Sequence, residues 1–396
     1  MMILTVNTGS SSLKVSLYRR YPELEPHVTA TIDRLDGPGG RWTIREAGRS
    51  LPNESMVSLT NHADALAEFL VWVDEHGDHD RIEAVAHRVV HGGPIYSKPV
   101  TIDHDVITEL THMIPMDPGH LPHAIACIEA ARQWSPELRQ IACFDTAFHR
   151  LMPHVAKQLP LPRGLEEQGI IRYGFHGLSY EYIQEELNAL DPMSRENRTI
   201  IAHLGNGASM VAVRNGQSVD TTMGMTPTGG LMMGTRTGDL DPGTLVYLMR
   251  TIGLDANALD ILVNREAGLL GVSGISGDMR DVLAAAAEAG PAREALDLFA
   301  YQAKKHLGAL AAVLGGLDRL VFTGGIGEHA AAIRSSICDG LEFLGICLDD
   351  VQNASHQAVI SYDGAAVQVR VMRTNEDLMM ARHADRILGL GTMVQG

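Results

Sequence analysis

Two stretches of the sequence repeat the same pattern of strand, turn and strand. The first is ILTVNTGSSSLKVSLYRR at residues 3–20, and the second is IIAHLGNGASMVAVRNG at residues 200–216. Gly9 aligns with Gly207, an offset of 198 residues in a chain of 396. An offset of half the chain length is what an internal duplication produces, although glycine-rich hairpins are common enough for two of them to align by chance. The repeat favours two similar domains that face each other across a cleft.

Short β-branched runs alternate with longer Ala- and Leu-rich stretches in both halves, which is typical of an α/β architecture. We expect strands at residues 2–6, 13–18, 82–90, 140–144, 199–204, 209–213, 318–322 and 366–371. We expect helices at residues 62–75, 120–133, 177–190, 242–263, 292–314, 328–341 and 375–390.

Charge and hydropathy exclude several classes of protein. The formal net charge of −16 argues against sequence-independent nucleic-acid binding, which needs clustered Lys and Arg. No apolar run reaches the ~18 residues of a spanning helix, and the opening MMILTVNTG lacks the basic region of a secretory signal. We therefore expect a cytoplasmic protein that binds neither nucleic acid nor membrane, and whose arginines attract any anionic substrate locally.

The first turn, Asn7 to Ser12, consists of small polar residues that let backbone amides approach an anion closely. The Asn7 side-chain carbonyl can reach a metal-bound water, and Lys14 supplies a point charge of the kind that binds phosphates. An ordinary hairpin with a solvated lysine is the alternative interpretation of this stretch.

Three further glycine-containing loops occur in the second half. They are HLGNG at 203–207, SGDMR at 276–280 and FTGGIGEH at 322–329. In the last loop an apolar strand runs into glycines, and a helix that begins near Glu328 would direct its amides at a phosphate. None of them is a Walker A or a dinucleotide-binding sequence, so the pattern indicates phosphate binding of another type.

Charged side chains follow several apolar runs. Arg88 in AVAHRVVHGG and Arg236 in GLMMGTRTGDLDPG each imply a buried carboxylate or a bound anion, because an unpaired buried arginine is costly. A purely structural ion pair is the alternative. Asp145 directly follows a buried-type strand, and with Glu376 of TNED it predicts a Mg²⁺ site. His176 lies near glycines at a helix start, where a structural or a catalytic role is open.

Nine motifs occur in the same order as in a known family. They are VNTGSSSLK, HRVVHGG, FDTAFH, YGFHGLSY, HLGNG, GMTPTGGLMMGTRTGDLDPG, SGDMRD, FTGGIGE and TNED. Together they resemble the acetate and propionate kinase family from residue 3 to about residue 390. The resemblance implies an α/β fold of two duplicated domains of the actin-like ATPase (ribonuclease H-like) type, facing each other across a nucleotide cleft. It implies an N-terminal domain on the acyl-substrate side, at 1–148 with a C-terminal helix at about 375–396, and a nucleotide-side domain at 149–374.

The resemblance also implies a role for each matching residue. The catalytic residues would be Arg88, which also binds the substrate carboxylate, Asp145, His176 and Arg236. The metal, Mg²⁺ with Mn²⁺ as a substitute, would lie at Asn7 and Glu376. The acyl pocket would be formed by Val90, Met116, Phe175 and Pro227. Contacts with ATP or ADP would come from Lys14, His203, Leu204, Gly205, Asn206, Gly207, Asp278, Met279, Arg280, Gly325, Ile326, Gly327, Glu328 and His329.

The implied activity is reversible, direct in-line transfer of the ATP γ-phosphoryl group to acetate, giving acetyl phosphate and ADP. A carboxylate nucleophile is already deprotonated near pH 7, so Asp145 is expected to organise metal and water rather than accept a proton. The family also implies a homodimer. The alternatives are a kinase for propionate or another short acid and, more remotely, a nucleotide-driven switch like actin or the chaperones.

The sequence departs from the family in three places. Met116 and Asp117 stand where the family has Leu and His, TPTGG replaces TPLEG, and His329 replaces Asn. The first two departures border the acyl pocket. The preference between acetate and propionate therefore stays open.

Overall fold

The computed structural model describes residues 1–9, 12–33, 35, 40–48, 53–57, 59, 61–192, 196–286 and 289–393. Ser10 and Ser11 of the first turn lie outside the described residues, as do the last three residues of the expected C-terminal helix. The chain divides into two units. The first contains Met1–Ala147 and the segment from Asn375 onward, and the second contains Phe148–Thr374.

The first unit is built on an eight-stranded mixed sheet. Its strands are β1 (Met2–Thr8), β2 (Ser12–Arg19), β3 (Glu25–Asp33), β4 (Gly40–Glu46), β5 (Asn53–Val57), β6 (Ile82–Val89), β7 (Val100–Thr101) and β8 (Arg139–Phe144). They lie in the order β5-β4-β3-β2-β1-β6-β8-β7. Strands β1 to β5 pair antiparallel, whereas β1, β6 and β8 run parallel. Every residue of β1 is buried, as expected for a central strand covered on both faces.

Helices cover both faces of this sheet. They are α1 (His62–Glu75), α2 (His104–His112), α3 (Leu121–Trp134) and the C-terminal helix (Glu376–Met393). Leu4 and Val6 of β1 pack with Phe69 of α1 and Cys127 of α3 in one apolar core. Side chains alternate along a strand, so Asn7 belongs to the opposite face, where it contacts the start of the C-terminal helix. That helix therefore completes the first unit.

The second unit contains a five-stranded sheet. Its strands are β9 (Thr199–Leu204), β10 (Ala208–Arg214), β11 (Gln217–Thr221), β12 (Arg319–Thr323) and β13 (Gln368–Val371). They lie in the order β11-β10-β9-β12-β13. The first three pair antiparallel, and β9, β12 and β13 run parallel.

The second unit repeats the central order of the first, β3-β2-β1-β6-β8, with the same strand directions. The turn between β1 and β2 corresponds to the turn between β9 and β10, which is where Gly9 and Gly207 align. The predicted fold class, two duplicated α/β domains, is confirmed.

Eleven helices of the second unit have bounds in the described residues. They are α4 (His154–Lys157), α5 (Arg163–Glu166), α6 (Gly177–Leu190), α7 (Pro242–Tyr247), α8 (Ala256–Ile261), α9 (Gly268–Ser273), α10 (Met279–Ala285), α11 (Pro291–Leu314), α12 (Gly324–His329), α13 (Ala331–Cys338) and α14 (Asp350–Ala354). Helix α6 packs Ile183 and Leu187 against Ile201, Val211 and Val321 of the sheet. Helix α11 also contacts strands β9 to β11.

Two expected helices are divided in the structure. The stretch 242–263 contains α7 and α8, which are separated by a π-helical turn at Leu248–Ile252 and by Gly253 in the left-handed region at φ 81°. The helix expected at 328–341 was predicted with the wrong start, because α12 already begins at Gly324. This helix ends before Ala330, and α13 follows as a separate helix. Among the described residues, no helix combines the length and apolar character needed to cross a membrane.

Candidate active site

The carboxyl ends of β1, β6 and β8 bring three predicted residues together in the first unit. Asn7 ends β1, Arg88 lies near the end of β6 and Asp145 follows β8, and ends of adjacent parallel strands meet at one edge of a sheet. Arg88 Nε donates to Asp145 Oδ1 and Oδ2 at 3.2 and 3.1 Å, and Arg88 Nη2 donates to Oδ2 at 2.6 Å. Asp145 is therefore the carboxylate partner that we expected for a buried Arg88.

The start of the C-terminal helix adds two carboxylates. Arg88 Nη1 donates to Asn7 Oδ1 at 3.1 Å and lies 3.6 Å from Glu376 Oε2. Asn7 Nδ2 donates to Glu376 Oε2 at 3.3 Å and to Asp377 Oδ1 at 3.1 Å. Asp377 was missed in the sequence, although it belongs to the same TNED motif.

Burial dominates the electrostatics of this acidic cluster, which we define as Asp145, Glu376 and Asp377. Burial raises the pKa of Asp145, against the opposing charge of Arg88. Burial also raises the pKa of Asp377, and here Lys14 opposes the shift. For Arg88, burial works against the charged form, but Asp145 and Glu376 outweigh it and raise its pKa. The cluster thus holds three carboxylates against two cations, an arrangement that a further cation would stabilise.

The donor set of the cluster fits a hard divalent cation. Carboxylate and amide oxygens are the ligands that Mg²⁺ prefers, and Mg²⁺ usually takes one or two protein carboxylates together with water and substrate phosphate oxygens. No group of three or more His, Cys, Asp or Glu within the described residues is arranged to hold a metal. Asn7, Asp145 and Glu376 fit a Mg²⁺ ion only if water or phosphate oxygens complete its coordination.

The predicted acyl-pocket residues belong to both units. Val90 is buried in the first unit, and Met116 packs against an apolar cluster that includes Phe144. Phe175 and Pro227 belong to the second unit. Beside Met116, the buried Asp117 accepts a hydrogen bond from His120 Nδ1 at 2.8 Å.

His176 occupies a strained position in the second unit. It caps the start of α6 with φ 58° and ψ 24°, a left-handed conformation that is uncommon for a residue other than glycine. Its ring stacks on His203, with centroids 4.3 Å apart, and its Nδ1 lies 2.8 Å from Ser209 Oγ. His203 Nδ1 lies 2.8 Å from Ser179 Oγ.

Gly207 leaves a small space on which His176 and Arg236 converge. A Cβ atom at Gly207 would lie 3.1 Å from His176 Nε2 and 3.0 Å from Arg236 Nη2. Arg236 is oriented by its Nη1, which donates to the carbonyl oxygen of Pro227 at 2.6 Å. His176 Nε2 and Arg236 Nη2 thus face one point beside a residue without a side chain, a geometry that suits an anionic oxygen when Nε2 carries a proton.

The predicted nucleotide loops of the second unit pack against one another. In the turn from His203 to Gly207, which includes Leu204, Gly205 and Asn206, the Gly205 amide donates to the Gly207 carbonyl at 3.0 Å. The Gly234 amide donates to the carbonyl of Asn206 at 3.1 Å. Gly234 also approaches Gly277, since a Cβ at Gly277 would lie 3.1 Å from the Gly234 carbonyl oxygen.

The loop at Asp278 begins helix α10. Asp278 caps this helix by accepting from the Arg280 amide at 2.9 Å, and Met279 is buried beneath it. The Arg280 side chain is 88% exposed. The Arg280 guanidinium is therefore available to a ligand as well as to Asp278.

The loop of Gly325, Ile326, Gly327, Glu328 and His329 forms α12 and packs on β9. Gly324 has φ 76°, and a Cβ there would lie 2.8 Å from the Leu204 carbonyl oxygen. Glu328 Oε1 accepts from the Gly324 amide at 3.0 Å, and the His329 side chain is 78% exposed.

Arg334 holds this loop from beneath and was missed in the sequence. It is fully buried, and its Nη1 donates to the carbonyls of Gly327 and Glu328 at 2.8 and 3.0 Å. Burial lowers its pKa to about 10. Its position in an Ala- and Ile-containing helix could have suggested a buried guanidinium, but its carbonyl partners could not be inferred.

Lys14 lies on β2 in the first unit, paired in register with Asn7, and its side chain is exposed. The structure therefore groups the predicted residues into two sets. Asn7, Lys14, Arg88, Asp145 and Glu376 lie in the first unit around the acidic cluster. His176, His203, Gly207 and Arg236 lie in the second unit, together with the nucleotide loops.

Comparison with known proteins places the chain in a family. Residues 2–382 match the model of the acetokinase family. Acetate kinases of Rhodopseudomonas palustris and Methylocella silvestris are 44% and 41% identical, each over 98% of this chain and 98% of the relative. The solved acetate kinase of Porphyromonas gingivalis has a TM-score of 0.87 at 36% identity, covering 98% of this chain and 99% of that one. A propionate kinase from Francisella tularensis has a TM-score of 0.90 at 34% identity, with coverages of 96% and 98%. The chain belongs to the acetokinase family.

Proposed function

We propose that the protein is an acetate kinase, which reversibly transfers the γ-phosphoryl group of ATP to acetate and gives acetyl phosphate and ADP. The observation that carries the proposal is the convergence of His176 Nε2 and Arg236 Nη2 on the space beside Gly207. Phosphoryl transfer spreads negative charge over the equatorial oxygens of the transferring group, so catalysis rests on positioning and charge stabilisation. Two fixed donors at one point supply both.

The second unit binds the nucleotide in this proposal. The turn from His203 to Gly207 would contact ATP phosphates, as would Lys14 of the first unit. The loops at Asp278 to Arg280 and Gly325 to His329 would contact the adenosine. Their mutual packing supports this assignment, because a ligand placed on one loop is then within reach of the next.

The first unit supplies the carboxylate chemistry. Arg88 would bind the carboxylate of the incoming acid, and its fork to Asp145 fixes the guanidinium in place. Acetate is already ionised near pH 7, so the reaction needs no general base. Asp145, held in a buried ion pair, is suited to organise charge and water.

Asn7, Asp145 and Glu376 would hold Mg²⁺, with Mn²⁺ as a substitute. When bound, the ion would neutralise phosphate charge. The excess of carboxylates over cations in the acidic cluster supports this assignment.

Propionate is the second candidate substrate. The similarity to a propionate kinase of Francisella tularensis favours it as an alternative. Met116 also favours it, because an unbranched thioether adapts its shape to one more methylene at little cost. Val90, Phe175 and Pro227 would limit the pocket to short chains.

A homodimer completes the proposal. Large apolar side chains are exposed along the segment that contains α7 and α8: Leu240, Val246, Tyr247, Met249, Ile252 and Ile261. Exposed apolar side chains that are this frequent along one segment suit an interface with a second copy. Because ATP is made and used inside the cell, the proposed reaction places the protein in the cytoplasm.

A coupled assay tests the proposed function. Acyl phosphate formed from acetate, propionate or butyrate, with either ATP or pyrophosphate as donor, is trapped with hydroxylamine, and ADP formation is followed where ATP is the donor. We expect ATP-dependent acyl phosphate with acetate and propionate, formed far more slowly by the matched Arg236→Ala variant. ADP formation without trapped acyl phosphate from any acid would contradict the proposal.

A further inference from the structure

Two buried side chains, Tyr180 and Ser209, form a line that leads to His176. Tyr180 and Ser209 are fully buried, and the Tyr180 hydroxyl forms a short hydrogen bond with Ser209 Oγ. Ser209 Oγ in turn lies 2.8 Å from His176 Nδ1. The polar atoms of the line are therefore Tyr180 OH, Ser209 Oγ and the inner nitrogen of the imidazole ring.

Local structure explains why these three side chains meet. His176 precedes α6 and Tyr180 lies four residues later, so both are on one face of the helix, and the Tyr180 amide donates to the His176 carbonyl at 3.1 Å. Ser209 lies on β10 directly opposite His203 of β9. Because β10 is covered by α6, the serine hydroxyl is fixed between the helix and the strand.

The protons along the line can be assigned by counting donors. Ser209 has one hydroxyl proton and two acceptor lone pairs, and a phenol is a stronger acid, hence a better donor, than an alcohol. Tyr180 therefore donates to Ser209 Oγ. The serine proton is then free to be donated to His176 Nδ1, which must accept it as an unprotonated nitrogen.

The other nitrogen of the ring then carries the proton. In a neutral imidazole one nitrogen donates and the other accepts, and the partner of one nitrogen sets the state of the other. His176 Nε2 faces the space beside Gly207, on which Arg236 Nη2 also converges. A proton on Nε2 makes this nitrogen a donor at the point where an anionic oxygen fits.

We propose that Tyr180 and Ser209 are positioning residues that hold His176 in its Nε2–H tautomer, so that it donates a hydrogen bond to the transferring phosphoryl group. The inference rests on the proposed function for the role of the Nε2 donor, but the tautomer itself belongs to the folded protein. Neither Tyr180 nor Ser209 touches the reacting atoms in this proposal.

Nitrogen NMR of the histidine rings tests the tautomer without activity. His149 provides an internal reference, because its Nε2 lies 3.0 Å from the Phe175 carbonyl, an acceptor, and its Nδ1 lies 2.9 Å from Ser218 Oγ. With ¹⁵N-labelled histidine near pH 7.5, we expect His176 to give the same Nε2–H pattern as His149. A ring protonated at Nδ1 in wild type overturns the proposal, whatever reaction the protein catalyses.

Matched variants test the consequence. In Ser209→Ala, we expect mixed tautomers at His176 and kcat lower by roughly tenfold, with KM for ATP and acetate unchanged, because one orienting hydrogen bond is lost. Ser209→Thr keeps the hydroxyl and should restore the wild-type spectrum and kcat. Ser218→Ala removes the equivalent hydroxyl beside His149 and should leave kcat within about twofold of wild type.

Tyr180→Phe serves where Ser209→Ala fails to fold, and it should give the same change in the spectrum to a smaller degree. An unchanged tautomer and unchanged kcat in Ser209→Ala or Tyr180→Phe would overturn the positioning role. If wild type forms no acyl phosphate but His176 has the Nε2–H tautomer, the proposed function fails and the assignment of the tautomer stands.

Discussion

Replacing Arg88 by Met should reduce stability as well as activity. The Arg88 guanidinium makes three of its hydrogen-bond contacts with Asp145, whose side chain is only 1% exposed. Removing one partner of a buried ion pair leaves the other charge uncompensated, which costs about 3–5 kcal/mol. The resemblance implied a catalytic and substrate-binding role for Arg88, and the buried fork adds a stabilising one.

The size of the loss follows from the protonation of Asp145. Without Arg88, the buried carboxyl group binds a proton rather than remain charged. Each pH unit above the ordinary pKa of 3.8 adds about 1.4 kcal/mol to the cost of that proton, so the part of the loss that comes from Asp145 is at most about 4 kcal/mol near pH 7. Because burial already raises the pKa of wild-type Asp145, the actual loss should be smaller than this bound.

The sign of the pH dependence is fixed by the same argument. Loss of Arg88 raises the pKa of Asp145 further. At pH values between the pKa of Asp145 in folded wild type and its higher pKa in the folded variant, the folded variant binds one more proton than folded wild type. The free energy of unfolding of the variant therefore falls relative to wild type as pH rises, by about 1.4 kcal/mol per unit. The deficit shrinks as pH falls toward the wild-type pKa of Asp145.

Urea denaturation at several pH values between about 5 and 7, in EDTA and without nucleotide, measures this deficit. The control is the double variant Arg88→Met with Asp145→Asn, which removes the Asp145 charge and leaves Glu376 and Asp377 in place. It should recover most of the stability at pH 7 and lose the pH dependence, while acyl phosphate formation stays absent. A deficit that does not change with pH, or a double variant no more stable than Arg88→Met, would refute the reasoning.

Four further outcomes are expected. EDTA should abolish phosphoryl transfer, and Mg²⁺ or Mn²⁺ should restore it, because the acidic cluster has more carboxylates than cations; full turnover in excess chelator would contradict this. Arg236→Ala should lower kcat/KM by an amount equivalent to about 2–4 kcal/mol with unchanged urea denaturation, and near-normal turnover would remove Arg236 from the site. Acetate and propionate should differ in kcat/KM by less than roughly 100-fold, with butyrate clearly worse, and a ratio unchanged in Met116→Leu would show that Met116 does not set acyl size. Sedimentation should give a dimer that Ile252→Asp dissociates, and a wild-type monomer at micromolar concentration would count against the proposed interface.

The central strands and the residues at their ends were predictable from the sequence. Apolar runs such as residues 82–90 and 140–144 are long enough for buried parallel strands, and a charged residue near the end of each run, or directly after it, lies at the carboxyl edge of the sheet. Arg88 and Asp145 meet for this reason. Helices 62–75 and 177–190 were also predicted with the bounds that the structure gives, because their apolar periodicity is strong.

The strands at residues 25–57 were not expected. In β3, the sequence EPHVTATID mixes polar and apolar residues, and its strand character depends on pairing with β2 and β4. The prediction of one long helix at 242–263 was wrong, because composition does not reveal the break at Gly253. In both regions, tertiary partners decided the local structure.

The missed site residues are buried polar groups whose partners are distant in the sequence. Asp377 lies 370 residues from Asn7, and Arg334 bonds to carbonyl oxygens that any residue could provide. Ser209 and Tyr180 are ordinary in a strand and a helix, and only their contact through the fold connects them to His176. Such roles depend on long-range geometry that no local pattern encodes.

The two sets of residues have complementary electrostatic needs. In the first unit, three carboxylates are balanced only by Arg88 and Lys14. Burial and this excess of negative charge raise the pKa values of Asp145 and Asp377. In the second unit, His176 and Arg236 direct donors at one point, which an anionic oxygen would satisfy. A cation alone would stabilise the first set, and an anion alone would stabilise the second. A metal ion also neutralises the charge of a nucleoside triphosphate, so loss of the metal should weaken nucleotide binding as well as turnover.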